Sequence, residues 1–159
     1  MDIEIFIEEK SQIEKQINSM LEYSSVSSFL RRVEREELIV TDIPFYNVTF
    51  KHFKPKIVFA AIEKNKVIGL FSIQLLEKST KINTPKWQVM NIGVDENFKR
   101  QGIAKKLISA MFKTFSELGI AGVVQSTYSD EGWNYVKPFF RKMAKKFPDV
   151  NFIDPLKRF

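Results

Sequence analysis

A short basic segment built around one glycine, Lys99 to Ala104, carries the residue types and spacing most suited to chemistry in this chain. Gly102 has no Cβ, so the backbone there can approach a ligand closely, and the small Ala104 permits nearly the same approach. Where such a segment turns into a helix, several backbone N–H groups converge on one point and the helix dipole adds partial positive charge. Four basic side chains surround these donors: Lys99, Arg100, Lys105 and Lys106. The segment therefore predicts a site for an anion, and a pyrophosphate suits it best.

The segments on either side predict the elements that must position this turn. Residues 87–94 have the pattern of a strand that ends before Asp95. Downstream, apolar residues recur at three- and four-residue steps and predict one buried face of a helix: Ala104, Leu107, Ile108, Met111, Phe115 and Leu118. Gly119 follows as a residue that typically ends a helix, and residues 120–124 form a second apolar run. Strand, turn, helix and strand together predict a βαβ unit over residues 87–124.

At these residues the chain resembles the GNAT N-acetyltransferase superfamily. The acetyl-CoA-binding signature of that family is Arg or Gln, two free positions, Gly, one free position, then Gly or Ala, after a strand that ends in a small residue and Val. Here Gly93-Val94 matches the strand end, Phe98 the usual aromatic, and Gln101-Gly102-Ile103-Ala104 the core of the signature. Lys99 stands where Arg or Gln is usual, and as a cation it also suits phosphate, without a bidentate fork. The resemblance covers roughly residues 55 to 127.

The resemblance implies an α/β fold of the GNAT type, with a mixed, mostly antiparallel central sheet flanked by helices. It also implies acetyl-CoA as co-substrate, and no metal. The pyrophosphate would contact the backbone of residues 100–104, and the pantetheine arm would lie along the strand end at residues 92–94. The candidate cofactor-binding residues are Ile92, Gly93, Val94, Lys99, Arg100, Gln101, Gly102, Ile103, Ala104, Lys105 and Asn134.

The reaction that the resemblance implies is N-acetyl transfer to a primary amine by direct attack on the thioester, without an acyl-enzyme. An amine of pKa about 10.4 must lose a proton, and a thiolate of pKa about 8.5 must gain one or leave unaided. Family members often supply the acid from a Tyr in the last helix, but Phe140 stands at that position here. The candidate catalytic residues are Tyr135 and Tyr128 as acids and Glu131 as base or amine anchor. Asp130 and Glu131 are also suited to capping a helix.

A second hypothesis belongs to another class of protein, a CoA-binding module with weak or no catalysis that acts as a sensor or scaffold. Phe140 motivates it, because the ring has no hydroxyl, and so does Gln88, near the place where some family members carry a Glu base. The turn at Gly102 also has a purely structural alternative, a tight connection between strand and helix.

Composition limits the partners. The chain has 25 basic and 19 acidic residues, a net charge of +6, no cysteine and a single histidine, His52. These counts exclude a disulfide, a thiolate nucleophile and metal sites built from cysteine or histidine. His52 has two interpretations, a structural residue or a base. The acceptor is expected to be a small-molecule or protein amine; an amine carried on RNA stays open on the charge alone, but nucleic acid is not favoured. We expect a cytoplasmic monomer or homodimer with no membrane partner, since no signal peptide or membrane-spanning run is visible.

The rest of the chain predicts a single domain over residues 1–159, since no repeat or linker divides it. Basic residues between positions 137 and 146 are interpreted as a solvated helix face. Pro138 either begins that helix or kinks it. The other predicted elements are an opening strand at 3–7, helices after Ser11 and after Ser25 or Ser27, an extra strand or extended segment at 46–50, a hairpin of 57–62 with 67–73, and a closing strand at 149–153.

Overall fold

The structure, a computed structural model, describes residues 1–8, 23–75, 87–120, 122–125 and 132–154. In these ranges the strands are β1 (Asp2–Ile7), β2 (Ile39–Val40), β3 (Ile57–Glu63), β4 (Lys66–Leu75), β5 (Trp87–Val94), β6 (Gly122–Gln125) and β7 (Asn151–Ile153). The helices are α1 (Val26–Glu34), α2 (Tyr46–Val48), α3 (Ile103–Leu118) and α4 (Lys137–Lys146). A π-helix, Thr49–Phe53, continues α2; a second, Gly132–Val136, precedes α4; and a 3₁₀ turn, Glu96–Phe98, precedes α3.

The strands form one mixed sheet in the order β1-β3-β4-β5-β6-β7, with β2 paired to β4. The long pairs β1–β3, β3–β4 and β4–β5 are antiparallel. The pairs β2–β4, β5–β6 and β6–β7 are short and parallel. The parallel register of Trp87 with Val123 confirms the predicted βαβ unit, since β6 returns beside β5 after α3. The α/β class and the mixed, mostly antiparallel sheet are likewise confirmed.

The predicted hairpin is present and is closed by a two-residue turn. Lys64 and Asn65 connect β3 to β4 with φ of 49° and 66°. Two consecutive positive φ angles match the type I′ turn, whose twist fits that of the flanking strands. Asn tolerates the left-handed region better than most residues, which explains why the polar turn forms at this position.

Each face of the sheet is buried under its own hydrophobic core. On one face α3 and α4 cover residues such as Phe59, Phe71 and Val89. On the other face α1 and the chain around Ile43 cover the alternate residues of β3 and β4. Strands buried on both sides have nearly continuous apolar sequences, which is the pattern of residues 57–62 and 67–73.

The helix ends agree with local sequence signals. Ser25 caps α1, where its hydroxyl accepts a hydrogen bond of 3.0 Å from the backbone N–H of Ser28. Gly119 ends α3 in the left-handed conformation, with φ of 71°. Pro138 is the second residue of α4, which follows directly on the π-helix Gly132–Val136. The basic face of α4 is exposed as predicted, except that Lys137 is buried.

The extended segment predicted at residues 46–50 is wrong: this stretch is helical. Tyr46 and Phe50 are four residues apart, so both the period of a strand and the period of a helix place them on one face. Their rings lie 5.0 Å apart, and Phe50 stacks on Phe29 at 5.5 Å. Val48 distinguishes the two structures, because in the helix it is turned outward and is 45% exposed. The helix predicted after Ser11 lies outside the described residues.

Replacing Gly69 with Ala is expected to destabilise the protein by about 1–3 kcal/mol, the usual cost of overpacking a core. A Cβ at Gly69 would lie 2.9 Å from Cγ2 of Ile103 and 3.2 Å from Cδ1 of Leu107, so these side chains, or α3 with them, would have to shift. Urea denaturation measures the change. An unchanged free energy of unfolding for Gly69→Ala would contradict the packing argument.

Candidate cofactor site

The turn before α3 has an unusual backbone. Arg100 and Gly102 both have positive φ, 65° and 77°, whereas Gln101 between them does not. Alternation of this kind produces the concave run of backbone N–H groups that binds anions in many proteins. A non-glycine residue in the left-handed region costs on the order of 1 kcal/mol, so the conformation of Arg100 is maintained by its surroundings.

The N–H groups of this turn have no acceptor among the described residues. In the part of the chain that the structure describes, the backbone N–H groups of residues 100–105 donate no hydrogen bond. The first bond of α3 is donated by the N–H of Lys106 to the carbonyl of Gly102, at 3.0 Å, and no side chain caps the helix. A Cβ built on Gly102 would meet no atom within 4 Å beyond its chain neighbours. The turn is thus an open set of donors at the positive end of a helix, as an anion site requires.

The basic side chains around the turn differ in their surroundings. Lys99 forms an ion pair of 2.9 Å with Glu96. Lys105 extends over the ring of Phe139, with Nζ 5.6 Å from the ring centroid. Arg100 is exposed at the tip of the turn. Of these three side chains, Arg100 could contact a bound phosphate without first breaking a contact described above.

The turn lies directly against the end of β5. Gly69 pairs with Val94, the last residue of β5, and the side chain of Ile103 packs on Gly69. The candidate residues of the signature and those of the strand end are therefore brought together in space. This proximity follows from the close packing of α3 on a sheet position that has no side chain.

One edge of β5 is unpaired at this end. β6 pairs with β5 only as far as Val89 opposite Gln125, whereas residues 91–94 pair with β4 on the other side. Met90 is an extra residue in the β4–β5 ladder, because Ile73 is opposite Val89 and Ser72 is opposite Asn91. Bulges of this kind redirect backbone groups and often lie next to active sites. Among the described residues, the edge at 90–94 is free to hydrogen-bond an extended molecule.

Close packing requires a glycine at position 93, and the sequence alone did not predict this requirement. A Cβ there would lie 2.9 Å from Cγ2 of Ile43 and 3.2 Å from the carbonyl oxygen of Pro44. The chain at 43–44 therefore covers this face of the strand end. Ile92 and Val94 point to the opposite face and pack against the core that contains α3.

A buried carboxylate links the strand end to the preceding loop. Asp95 is 3% exposed and accepts hydrogen bonds from the backbone N–H groups of Asn97, at 2.8 Å, and Asp42, at 3.0 Å. These bonds, foremost the one from Asn97, lower the pKa of Asp95 despite the opposing effect of burial. Asp95 thus fixes both the start of the 3₁₀ turn that leads to the anion site and the segment at 41–42. Sequence reasoning treated Asp95 only as a strand end.

The candidate catalytic residues have less support from geometry. Tyr135 is 71% exposed in the π-helical turn before α4, and Asn134 in the same turn is also exposed. Tyr128 and Glu131 lie outside the described residues. Phe140 is fully buried and stacks on Phe152, with ring centroids 4.7 Å apart and planes at 5°. Its ring is part of the core.

Two buried polar groups at the same end of the sheet were not anticipated. Gln125, the last residue of β6, is 5% exposed, and its Oε1 accepts no hydrogen bond from a described residue. Asp154 follows β7; one carboxylate oxygen accepts from Nε of Arg141 at 3.4 Å, and the other is buried with no partner in the described ranges. A polar residue at the end of a strand, or directly after it, was the available signal. Among the described residues, no group of three or more His, Cys, Asp or Glu side chains is arranged to hold a metal ion, and no helix is both long and apolar enough to span a membrane.

Replacing Asp95 with Asn is expected to destabilise the protein by about 2 kcal/mol near pH 7, because a hydrogen bond to a charged group contributes roughly 1.5–3 kcal/mol. The pKa of Asp95 is lowered by folding from its ordinary value of 3.8. Its contribution is therefore complete above that value and is lost as the pH falls through the lower folded pKa.

The measurement is urea denaturation of both proteins at neutral pH and at several pH values below about 4, the range where an unperturbed Asp titrates. The stability difference between wild type and Asp95→Asn should shrink as the pH falls. A difference that stays constant with pH would mean that the ionised carboxylate is not the stabilising species.

The chain is similar to known acetyltransferases. The family described as "Acetyltransferase (GNAT) family" matches residues 23–143. No curated protein matches the chain significantly. Among solved structures, an aminoglycoside acetyltransferase from an uncultured soil metagenomic sample, in complex with trehalose, is 25% identical, with 89% of this chain and 86% of that chain covered and a TM-score of 0.48.

Two other solved structures are more distant in sequence. A GNAT-family acetyltransferase from Staphylococcus aureus Mu50 is 15% identical, covering 89% of this chain and 82% of that chain, with a TM-score of 0.46. GCN5 of Tetrahymena is also 15% identical, covering 90% and 78%, with a TM-score of 0.47. The family match spans more than half of the chain and includes the β5–α3–β6 unit with its open turn. The chain belongs to the GNAT acetyltransferase family.

Proposed function

We propose that this protein transfers an acetyl group from acetyl-CoA to a primary amine by direct attack, with no acyl-enzyme. The single observation that carries the proposal is the open turn at residues 100–105, whose N–H groups have no partner in the described chain. Backbone donors at a helix N-terminus suit a pyrophosphate, and charge-assisted hydrogen bonds are about twice as strong as neutral ones. Arg100 adds a mobile cation at the rim of the site.

The free edge of β5 supports the placement of the pantetheine arm. An arm that contains amide groups can hydrogen-bond to residues 92–94 as an additional strand would, which is a common way for a sheet edge to bind an extended ligand. The bulge at Met90 then lies close to the acetyl end, where a backbone N–H would polarise the thioester carbonyl. Donors of this kind contribute roughly 10²–10³ in kcat.

We assign the two proton transfers to the candidate catalytic residues. Glu131 would accept the proton of the amine, and Tyr135 or Tyr128 would donate one to the departing sulfur. Tyr135 is exposed and can reach solvent, so it could exchange its proton freely. A thiol of pKa about 8.5 is also a fair leaving group without assistance. The chain has no cysteine to form a thioester of its own, which supports direct transfer.

A CoA-binding module with weak or no catalysis is the second candidate, and one observation favours it. The helix position where family members often carry Tyr is occupied by Phe140, which is buried among Phe71, Phe112 and Phe152. Phe140 has no hydroxyl and its ring is packed in the core, so this position supplies no acid.

Thermal-shift titration with acetyl-CoA, CoA and NAD tests cofactor binding first. A ligand at a hundred times its Kd stabilises the fold by about 2.7 kcal/mol, so acetyl-CoA and CoA should raise the Tm while NAD should not. Thiol release from acetyl-CoA in the presence of a broad panel of amines then tests transfer. Intact-protein mass spectrometry during turnover should show only unmodified protein. Binding without transfer to any amine would favour the module, and a trapped acetyl-protein would contradict direct attack.

Replacing Gly102 with Ala is expected to weaken acetyl-CoA binding at least about tenfold, which corresponds to about 1.4 kcal/mol. At a φ of 77° an alanine strains the backbone that sets the directions of the N–H donors, and its Cβ would project into open space. Gly119→Ala is the matched control, since Gly119 at the other end of α3 has φ of 71° and is exposed. Both variants should lose a similar amount of stability by urea denaturation.

Only Gly102→Ala should lose affinity for acetyl-CoA in isothermal titration calorimetry. Equal affinities for the two variants would remove the turn from the cofactor site, whatever their effect on stability.

A further inference from the structure

The loop that leads from β5 into α3 is attached to the sheet at both ends. At its start, the backbone N–H of Asp95 donates a hydrogen bond of 2.8 Å to the carbonyl of Ile68. At its end, the side chain of Ile103 packs on Gly69, the next residue of β4. Two neighbouring residues of one strand therefore fix where the loop begins and where it ends. The open turn lies between these two fixed points.

The carboxylate of Asp95 fixes the first half of this loop. Its Oδ1 accepts a hydrogen bond of 2.8 Å from the backbone N–H of Asn97, and the carbonyl of Asp95 accepts one of 2.9 Å from the N–H of Phe98. The side chain thus caps the 3₁₀ turn. Lys99 follows in an extended conformation and leads into Arg100, whose φ is 65°. A left-handed conformation is unfavourable for a residue with a side chain, so it needs this support from the chain before it.

The second oxygen of the same carboxylate holds a distant segment. Oδ2 of Asp95 accepts a hydrogen bond of 3.0 Å from the backbone N–H of Asp42, which lies 53 positions earlier in the chain. Directly after Asp42, the side chain of Ile43 lies against Gly93, at the strand end where we place the pantetheine arm. One buried carboxylate therefore supports both parts of the proposed cofactor site, the turn for the pyrophosphate and the strand end for the arm.

Only a carboxylate satisfies both donors. The N–H groups of Asn97 and Asp42 bond to different oxygens of Asp95. A carboxamide has one acceptor oxygen, and its NH₂ group only donates. With Asn at position 95, one of the two N–H groups would lose its acceptor and face another donor. Asp95 is 3% exposed, so water is poorly placed to replace the lost bond.

We infer that Asp95 is a positioning residue for the cofactor, which keeps the N–H groups of the open turn converged before acetyl-CoA binds. The inference rests on the proposed function, because it concerns affinity for that cofactor. Asp95 acts through the 3₁₀ turn and through the chain at 41–44, and not by contact with the cofactor. A turn that is already ordered loses less conformational entropy on binding, so this kind of preorganisation raises affinity.

The test compares Asp95→Asn with wild type by isothermal titration calorimetry, with CoA and with acetyl-CoA. Both Kd values should rise about tenfold, because the free energy that the lost cap supplied must then come from binding. Loss of a negative charge near a pyrophosphate would by itself strengthen binding, so weaker binding cannot be due to the change of charge. In transfer assays, KM for acetyl-CoA should rise by a larger factor than kcat falls, since the substitution does not touch the reacting atoms.

Glu8→Gln is the matched control. Glu8 also accepts two hydrogen bonds, from the backbone N–H of Ser27 at 3.1 Å and from its hydroxyl at 2.7 Å, and its carboxylate becomes the same kind of amide. Glu8 follows β1, which β3 and β4 separate from β5. Urea denaturation should show that both variants are less stable than wild type, but only Asp95→Asn should lose affinity for CoA. An unchanged Kd in Asp95→Asn, or the same increase in both variants, would overturn the inference.

NMR order parameters of the free proteins provide a readout that needs no cofactor. Backbone amides of residues 99–104 should be rigid in wild type and in Glu8→Gln, with S² near about 0.85, and should fall toward about 0.6 in Asp95→Asn. If CoA does not bind to wild type, the proposed function fails and the order parameters still decide the role of Asp95. A loss of order confined to Asp95→Asn supports the positioning role, and a turn that is equally ordered in all three proteins overturns it.

Discussion

An α-helix cannot pair the N–H groups of its first turn, and in α3 neither a capping side chain nor a carbonyl of the described chain replaces the missing acceptors. This unmet hydrogen-bonding capacity persists because contacts elsewhere fix the turn. Ile103 packs on Gly69, and Asp95 bonds to the backbone just before the turn. An anion can accept hydrogen bonds from these N–H groups without any rearrangement of the protein. This is the physical basis for the proposed cofactor site.

The end of β5 joins two sides of the molecule. Ile92 and Val94 face the core under α3, whereas Asn91 and Gly93 face the segment that begins at Ile43. Asp95 connects both sides, since it accepts from Asp42 as well as from Asn97. Loss of the Asp95 carboxylate would therefore remove a hydrogen bond from the 3₁₀ turn before α3 and another from the segment at 41–42. Residues 91–95 therefore each have a defined packing or hydrogen-bonding role, because this short segment contacts both sides of the sheet.

Local signals predicted most of the fold. The hairpin, a serine cap before α1 and the glycine that ends α3 each depend on a few neighbouring residues, so composition and spacing predicted them. The sequence left the choice between Ser25 and Ser27 and the role of Pro138 open. The segment at 46–50 was predicted wrongly because residues 46 and 50 fit both a strand and a helix. Contact of Phe50 with Phe29, twenty-one positions away in the chain, favours the helix, and no local pattern contains that information.

The sequence by itself determined the βαβ unit and the glycine turn with its cations, because these depend on hydrophobic periodicity and on a residue without a side chain. Only the tertiary structure decided which groups near that turn are available. It gave Gly93 a packing role against Ile43, buried Phe140 in the core and buried Gln125, whose Oε1 has no partner among the described residues. The positions of Gly93 and Phe140 depend on contacts between segments distant in the chain, and such contacts exist only once the sheet and helices have packed.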